Sequence, residues 1–220
     1  LGEDPWRIFE VGSPALETIL NMRFQSKDIL KIKYDIDLEK PLIIVLQHSV
    51  TTQAEEAGMQ IRETLEAVRE LEYQTIILYP NVDVGGREII EHIKGYEHFS
   101  FVKVFKSIPQ EEYFSLLKVA SVIVGNSSSG IIESSSFKLP VVNIGIRQEG
   151  RERSLNVLDV CHDRNEIIKA IKTALFDEGF KRQVEKCNNP YGDGRVSEKI
   201  VNVLKTIKLN NNLLEKKITY

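Results

Sequence analysis

Cysteine is nearly absent: Cys161 and Cys187 are the only two in 220 residues. Two thiols make neither a disulfide framework nor a cysteine-based metal signature, and they suit a reducing cytoplasm. Long apolar runs are absent as well. No stretch approaches the roughly 18 uninterrupted apolar residues that a membrane span requires, and the amino terminus lacks the charged-then-apolar pattern of an export signal. A soluble, cytoplasmic protein without a membrane partner is expected. Positive charge is not in excess, since 29 Lys and Arg face 32 Asp and Glu for a formal net charge of -3. That balance argues against nucleic acid as a partner, because such a surface needs a dense basic stripe. Two nucleotide fingerprints are also missing: no glycine-rich loop ends in Gly-Lys-Ser/Thr, and no Gly-x-Gly-x-x-Gly has the required spacing. An initiator Met is missing too. The chain opens Leu1-Gly2-Glu3-Asp4-Pro5 and runs at once into Ile8-Phe9-Glu10-Val11-Gly12, so a fragment of a longer protein is expected.

What the chain does have is alternation. With 42% hydrophobic and 28% charged residues it can bury a substantial core, and one domain over residues 1–209 with a polar, frayed tail over 210–220 is expected. Residues 7–11 read as a short strand, Pro14 opens a helix, and a charged connector leads to Pro41. Leu42-Ile43-Ile44-Val45-Leu46 is a continuous apolar run suited to a parallel strand buried on both faces. Residues 54–71 follow with Ile61, Leu65 and Val68 at helical spacing. Further strands at 75–78, 99–104, 121–124, 141–144 and 157–160 alternate with helices at 84–93, 109–119, 131–137 and 166–176. Helices at 180–185 and 196–207 close the chain. The alternation predicts an α/β fold, a Rossmann-like parallel sheet with helices on both faces.

The organising stretch is 121–147, SVIVGNSSSGIIESSSFKLPVVNIGIR. A β-branched strand breaks into Gly125-Asn126-Ser127-Ser128-Ser129-Gly130, and a helix start carries Glu133 about one turn in. Three hydroxyls and the free N–H groups of a helix start can surround an anion, and Glu133 can accept from both hydroxyls of a ribose. The plainer alternative is that Asn126 and the serines only cap a helix. In open parallel sheets ligands bind beyond the carboxyl ends of the strands, where strand order reverses. His48, Asn81, Ile108, Ser127, Ser128 and Arg147 all follow strands and so fall on one rim. Singly, His48 and Asn81 can be turn residues, and Arg147 with Arg151 and Arg153 can be a solvated charge run. Together, Arg147, His48 and the hydroxyls would neutralise a diphosphate through charge-assisted hydrogen bonds, so a small phosphorylated molecule is the expected partner.

Several segments together resemble the UDP-N-acetylglucosamine 2-epimerases, most closely the hydrolysing branch. They are Tyr79-Pro80-Asn81-Val82-Asp83 with Gly85-Gly86, the stretch from Gly125 to Glu133, Asn143-Ile144-Gly145 with Arg147-Gln148 and Gly150-Arg151, and Tyr191-Gly192-Asp193-Gly194. The resemblance runs from about Arg7 to about Ile207. It implies a two-domain enzyme of the glycosyltransferase-B type, with this chain as the carboxyl-terminal half and a missing amino-terminal half as its partner. It further implies that Ser127, Ser128 and Arg147 hold the diphosphate of UDP or UDP-N-acetylglucosamine, Glu133 the ribose, the backbone near Ile108 the uracil, and Asn81 and His48 the sugar side. Neither a metal nor a nicotinamide cofactor is implied. The implied reaction removes the proton at sugar C2, expels UDP and adds water to give N-acetylmannosamine for sialic acid synthesis. The acid and base carboxylates of the family belong to the other half, which leaves His48 as an assisting catalytic group and this half inactive alone. Ser49 stands where hydrolysing relatives commonly carry proline, and the Arg-Arg-Glu-Asn run of the non-hydrolysing branch is absent after His48. A non-hydrolysing epimerase, the donor domain of a glycosyltransferase, a non-catalytic nucleotide-binding module and a homo-oligomeric state remain the alternatives.

Overall fold

Six four-residue strands form one sheet: β1 (Ile43–Leu46), β2 (Thr75–Leu78), β3 (Val102–Phe105), β4 (Val122–Gly125), β5 (Val141–Ile144) and β6 (Val157–Val160). The order is β3-β2-β1-β4-β5-β6 and every pairing is parallel. The computed structural model describes residues 2–215, which separate into two compact units: Arg23–Pro190, holding the sheet, and residues 2–22 with 191–215.

Parallel strands need crossovers, and helices supply the first four: α3 (Ala57–Leu71), α4 (Gly86–Lys94), α5 (Gln110–Val119) and α6 (Ser129–Ile132), while β5 and β6 are joined without a helix. In the same unit α2 (Lys27–Tyr34) precedes β1, and α7 (Arg164–Phe176) and α8 (Glu178–Glu185) follow β6. One sheet face, built by Ile43, Val45, Ile77, Val122, Val124, Val142 and Ile144, packs on Ile61, Leu65 and Val68 of α3, Ile89 and Ile93 of α4, and Ile167 and Ile171 of α7. The alternate residues Ile44, Ile76, Ile123 and Val141 are equally buried on the opposite face, where Gly130 of α6 lies against Ile123 and Val141. At about 25 cal/mol per Å2 of buried apolar area, this two-sided burial is the dominant stabilising term. Among the described residues no helix is long and apolar enough to cross a membrane.

The other unit contains α1 (Pro14–Asn21), α9 (Val196–Thr206) and α10 (Asn211–Leu214). Glu17 accepts from the backbone N–H of Ser197 at 2.9 Å and from its hydroxyl at 2.7 Å. A carboxylate on the first turn of α9 satisfies an amide the helix itself cannot, and favours the positive end of the helix.

Several local expectations change. Residues 7–11 form no strand; a single 3-10 turn, Pro5–Arg7, stands before them, and a strand without a neighbour has no ladder to join. The charged connector contains α2, whose first turn is capped by the Ser26 hydroxyl accepting from Ile29 N–H and which ends at Asp35 in the left-handed region. The helix expected at 54–71 begins as a 3-10 segment, Thr51–Glu56, bent at Gln53. The helix expected at 131–137 is one α-turn followed by a 3-10 turn, Ser134–Phe137. There Ser134 donates its hydroxyl back to the Gly130 carbonyl at 2.6 Å, a bond that competes with the helical pattern. In the tail, Asn211–Leu214 is a helical turn capped by Asn210; residues 216–220 lie outside the described residues.

Candidate functional site

Strand order reverses between β1 and β4, so the crevice opens where both strands end. Leu46 and Gly125 are the last paired residues there. Gly125 has φ +131, and a Cβ on it would stand 2.3 Å from the Leu46 carbonyl oxygen. Only glycine allows this backbone angle and this approach. The next residue, Asn126, is fully buried and reaches across to the other strand. Its Oδ1 accepts the His48 N–H at 2.7 Å and its Nδ2 donates to the His48 carbonyl at 2.9 Å.

His48 therefore has a fixed peptide, and its ring is fixed too. Asn81 donates its backbone N–H to Nδ1 at 3.0 Å. The Asn81 Oδ1 lies 3.2 Å from the same nitrogen and would suit a proton there; the shorter contact is the backbone N–H, which can only donate, so the neutral tautomer it favours carries its proton on Nε2. Burial, followed by the positive charge of Arg147, lowers the His48 pKa to about 4. The Asn81 carboxamide continues outward, donating to Asp83 Oδ2 at 2.6 Å.

Two depressions flank the serine turn, and Ser128 lines both. The first, about 410 Å3, is bounded by Leu46, Tyr79, Ile108, Tyr113, residues 127–129 and Glu133. The Tyr113 hydroxyl donates to Ser129 Oγ at 2.9 Å, and Ser129 in turn hydrogen-bonds Glu133. Glu133 Oε2 is buried without a partner among the described residues. Burial, the largest cause, raises the Glu133 pKa. An unpartnered buried carboxylate oxygen costs free energy unless a donor arrives from outside, and vicinal hydroxyls are such a donor.

The second depression, about 420 Å3, is lined by Ser49, Thr51, Thr52, Asp83, Ser128, Arg147, Gln148 and Arg151, among others. Arg147 donates through Nη1 to the Asn126 carbonyl at 3.1 Å, and Gln148 Nε2 donates to the same oxygen at 2.7 Å. Burial and the neighbouring Arg151 lower the Arg147 pKa, yet a guanidinium stays charged at neutral pH. Cation and hydroxyls thus share one hollow. The Ser49 hydroxyl is also buried there and unpartnered among the described residues. A hollow of about 450 Å3 at the amino-terminal edge of the sheet includes Lys40, Lys138 and Lys181. Those lysines already face Asp37, the Cys187 carbonyl and Glu178 respectively.

The structure brings Ser127, Ser128, Glu133 and Ile108 to one depression and Ser128 and Arg147 to the other, with His48 and Asn81 joined to that rim by hydrogen bonds. Asn126 does not cap the helix: α6 begins at Ser129 and has no side-chain cap. With one turn, α6 contributes little dipole, which leaves the hydroxyls and the guanidinium as the groups that could attract an anion. Sequence reasoning missed Asp83, Tyr113, Gln148 and the pinning role of Asn126. Asp83 and Gln148 stand in the strand-end motifs quoted above, which was the available signal.

A family model described as UDP-N-acetylglucosamine 2-epimerase matches residues 1–205. The chain belongs to the UDP-N-acetylglucosamine 2-epimerase family. It is 36% identical over 98% of its length to the UDP-N,N'-diacetylbacillosamine 2-epimerase (hydrolyzing) of Legionella pneumophila. It is 34% identical over 81% of its length to the GDP/UDP-N,N'-diacetylbacillosamine 2-epimerase (hydrolyzing) of Campylobacter jejuni. These matches cover 56% and 47% of the two relatives, so the chain spans about half the length of each. Among solved structures, the UDP-GlcNAc 2-epimerase of Neisseria meningitidis bound to UDP-GlcNAc superposes with a TM-score of 0.73 at 17% identity, covering 90% of this chain and 55% of that one. MnaA of S. aureus in its co-structure with UDP superposes at 0.68 and 21% identity, covering 100% and 58%. At these identities the structural likeness establishes the fold, and the family assignment rests on sequence.

Proposed function

We propose that this epimerase-family chain forms the UDP-binding half of a hydrolysing UDP-sugar 2-epimerase whose substrate is a UDP-linked 2-acetamido sugar. The observation that carries the reading is Ser128, which lines both depressions, with the orphaned Glu133 oxygen on one side and the Arg147 guanidinium on the other. A nucleoside diphosphate has this polarity: hydroxyls at one end, two phosphates at the other. Glu133 accepts from the ribose, the backbone near Ile108 meets the uracil, and Ser127, Ser128 and Arg147 receive the diphosphate.

In the proposed reaction a base of the preceding half removes the proton at sugar C2. The C1–O bond breaks on the opposite face, and its electron pair leaves with the β-phosphate oxygen, giving a glycal and UDP. Water then adds across the double bond, a hydroxyl at C1 and a proton at C2, releasing the free epimerised sugar. This half stabilises the charge that develops on the leaving phosphate, using donors already in place. His48 contributes as a neutral Nε2–H donor on the sugar side, and the carboxylates of acid–base chemistry lie in the preceding half. The hydrolysing branch is favoured by the two relatives whose names carry that word.

Calorimetric titration of this chain with UDP tests the binding step, and absence of heat and of a thermal shift at millimolar UDP overturns it. The full-length protein is then given UDP-N-acetylglucosamine or UDP-N,N'-diacetylbacillosamine without an acceptor. Release of the free 2-epimer and UDP is expected. Accumulation of an epimeric UDP-sugar instead identifies the non-hydrolysing reaction, and no turnover of either substrate removes the enzymatic reading.

A further inference from the structure

Asn126 is a fully buried carboxamide whose hydrogen bonds go not to its own helix but across the strand-order reversal. Its N–H donates to the Leu46 carbonyl at 3.2 Å. Its side chain clasps both polar groups of one residue, taking the His48 N–H and giving to the His48 carbonyl. Its own carbonyl receives Arg147 and Gln148. Because the His48 N–H must donate and its carbonyl must accept, the orientation of the carboxamide is dictated by fixed backbone groups. We infer that Asn126 is a positioning residue for the proposed reaction, setting the His48 peptide through its side chain and the Arg147 guanidinium through its carbonyl. The inference rests on the functional reading above and adds to it the group that holds the sugar-side donor in register with the phosphate-side cation.

The residue type follows from geometry. One short side chain must offer a donor and an acceptor spaced like those of a peptide; aspartate lacks the donor, serine lacks the reach, and glutamine adds a methylene that the buried site does not hold. With the clasp gone, the His48 peptide can tilt. The ring keeps its contact with Asn81 while the peptide loses both of its bonds to Asn126, and Nε2–H drifts from its line. Displacement of a catalytic donor by about 1 Å lowers turnover by roughly 10²-fold. Arg147, held by the main-chain carbonyl, keeps its anchor.

The test is a double-mutant cycle in the full-length protein, measuring kcat for the parent, Asn126→Ala, His48→Ala and the pair, with Asn126→Ser as a second, polar replacement. If Asn126 acts through His48, the pair is no slower than His48→Ala alone, because removing the clasp no longer matters once the imidazole is gone. Losses that multiply in the pair overturn the inference, as does failure of both Asn126 variants to fold, since either outcome makes the residue structural. A parent that neither binds UDP nor turns over defeats the functional reading instead, so the two failures are distinguishable.

Discussion

His48 Nδ1 lies 3.0 Å from the backbone N of Asn81 and accepts a hydrogen bond from its N–H. A histidine held this way is a donor through its other nitrogen and a poor base. Burial and the Arg147 charge push its pKa down to about 4, well under the ordinary 6.5. In imidazole NMR spectra His48 is expected to remain neutral, protonated on Nε2, throughout pH 5.5 to 8. A titration near pH 6.5 would contradict the assignment. The stability consequence has a definite sign: the unfolded chain binds the proton first, so His48 favours the folded state fully above pH 6.5 and progressively less as pH falls from 6.5 toward 4.

Arg147→Ala should weaken UDP binding by about ten- to a hundredfold, the range for losing a hydrogen bond to a charged group. Its thermal midpoint should stay near that of the parent, because the side chain sits on a rim and not in the core. Titration calorimetry beside a melting curve checks both halves of the expectation, and parental affinity would remove the diphosphate assignment.

Glu133→Gln separates ribose recognition from stability. The parent should prefer UDP to its 2'-deoxy analogue, and the variant should lose most of that preference. Its stability should rise, because burial already disfavours the charged carboxylate. The sign is opposite to that of His48: a raised carboxyl pKa penalises the folded state at neutral pH, and the penalty fades on acidification through the folded-state value. Comparison of melting curves at pH 5 and 7.5 should find the gap between variant and parent smaller at pH 5.

Gly125→Ala should be among the most damaging single-methyl changes in the chain. The added carbon would meet the Leu46 carbonyl at 2.3 Å with φ at +131. Strain and overpacking together should cost about 2–4 kcal/mol, read from the urea midpoint. A loss of less than about 1 kcal/mol would mean that β1 and β4 separate freely at their ends.

The strands were the legible part of the sequence. The runs at 75–78 and 141–144 coincide with β2 and β5 because buried parallel strands are short, apolar and punctuated, and the run at 157–160 coincides with β6, an edge strand that is only partly buried. Helix α2 was not legible, since only Leu30 and Tyr34 of its eight residues are buried and Ile29 and Ile32 face outward, which blurs the periodic signal. The short run at 7–11 carried a strand-like pattern and has no partner strand. At the candidate site, the convergence of Ser127, Ser128, Glu133 and Arg147 on one rim was legible because strand ends of an open parallel sheet share one edge. Asn126 was visible as a residue and invisible as a clasp. Which backbone a short carboxamide reaches depends on strand order, and nothing local in the sequence encodes that β4 lies beside β1.

Arg147 rests on the Asn126 carbonyl. A long cationic side chain ordinarily surrenders rotamer freedom when it closes on an anion, at about 0.5–1.5 kcal/mol per immobilised group. Here part of that ordering is already supplied by the fold, through the carbonyl that Arg147 shares with Gln148. Under the proposed reading, that share of the entropic penalty of phosphate capture is met before the ligand arrives.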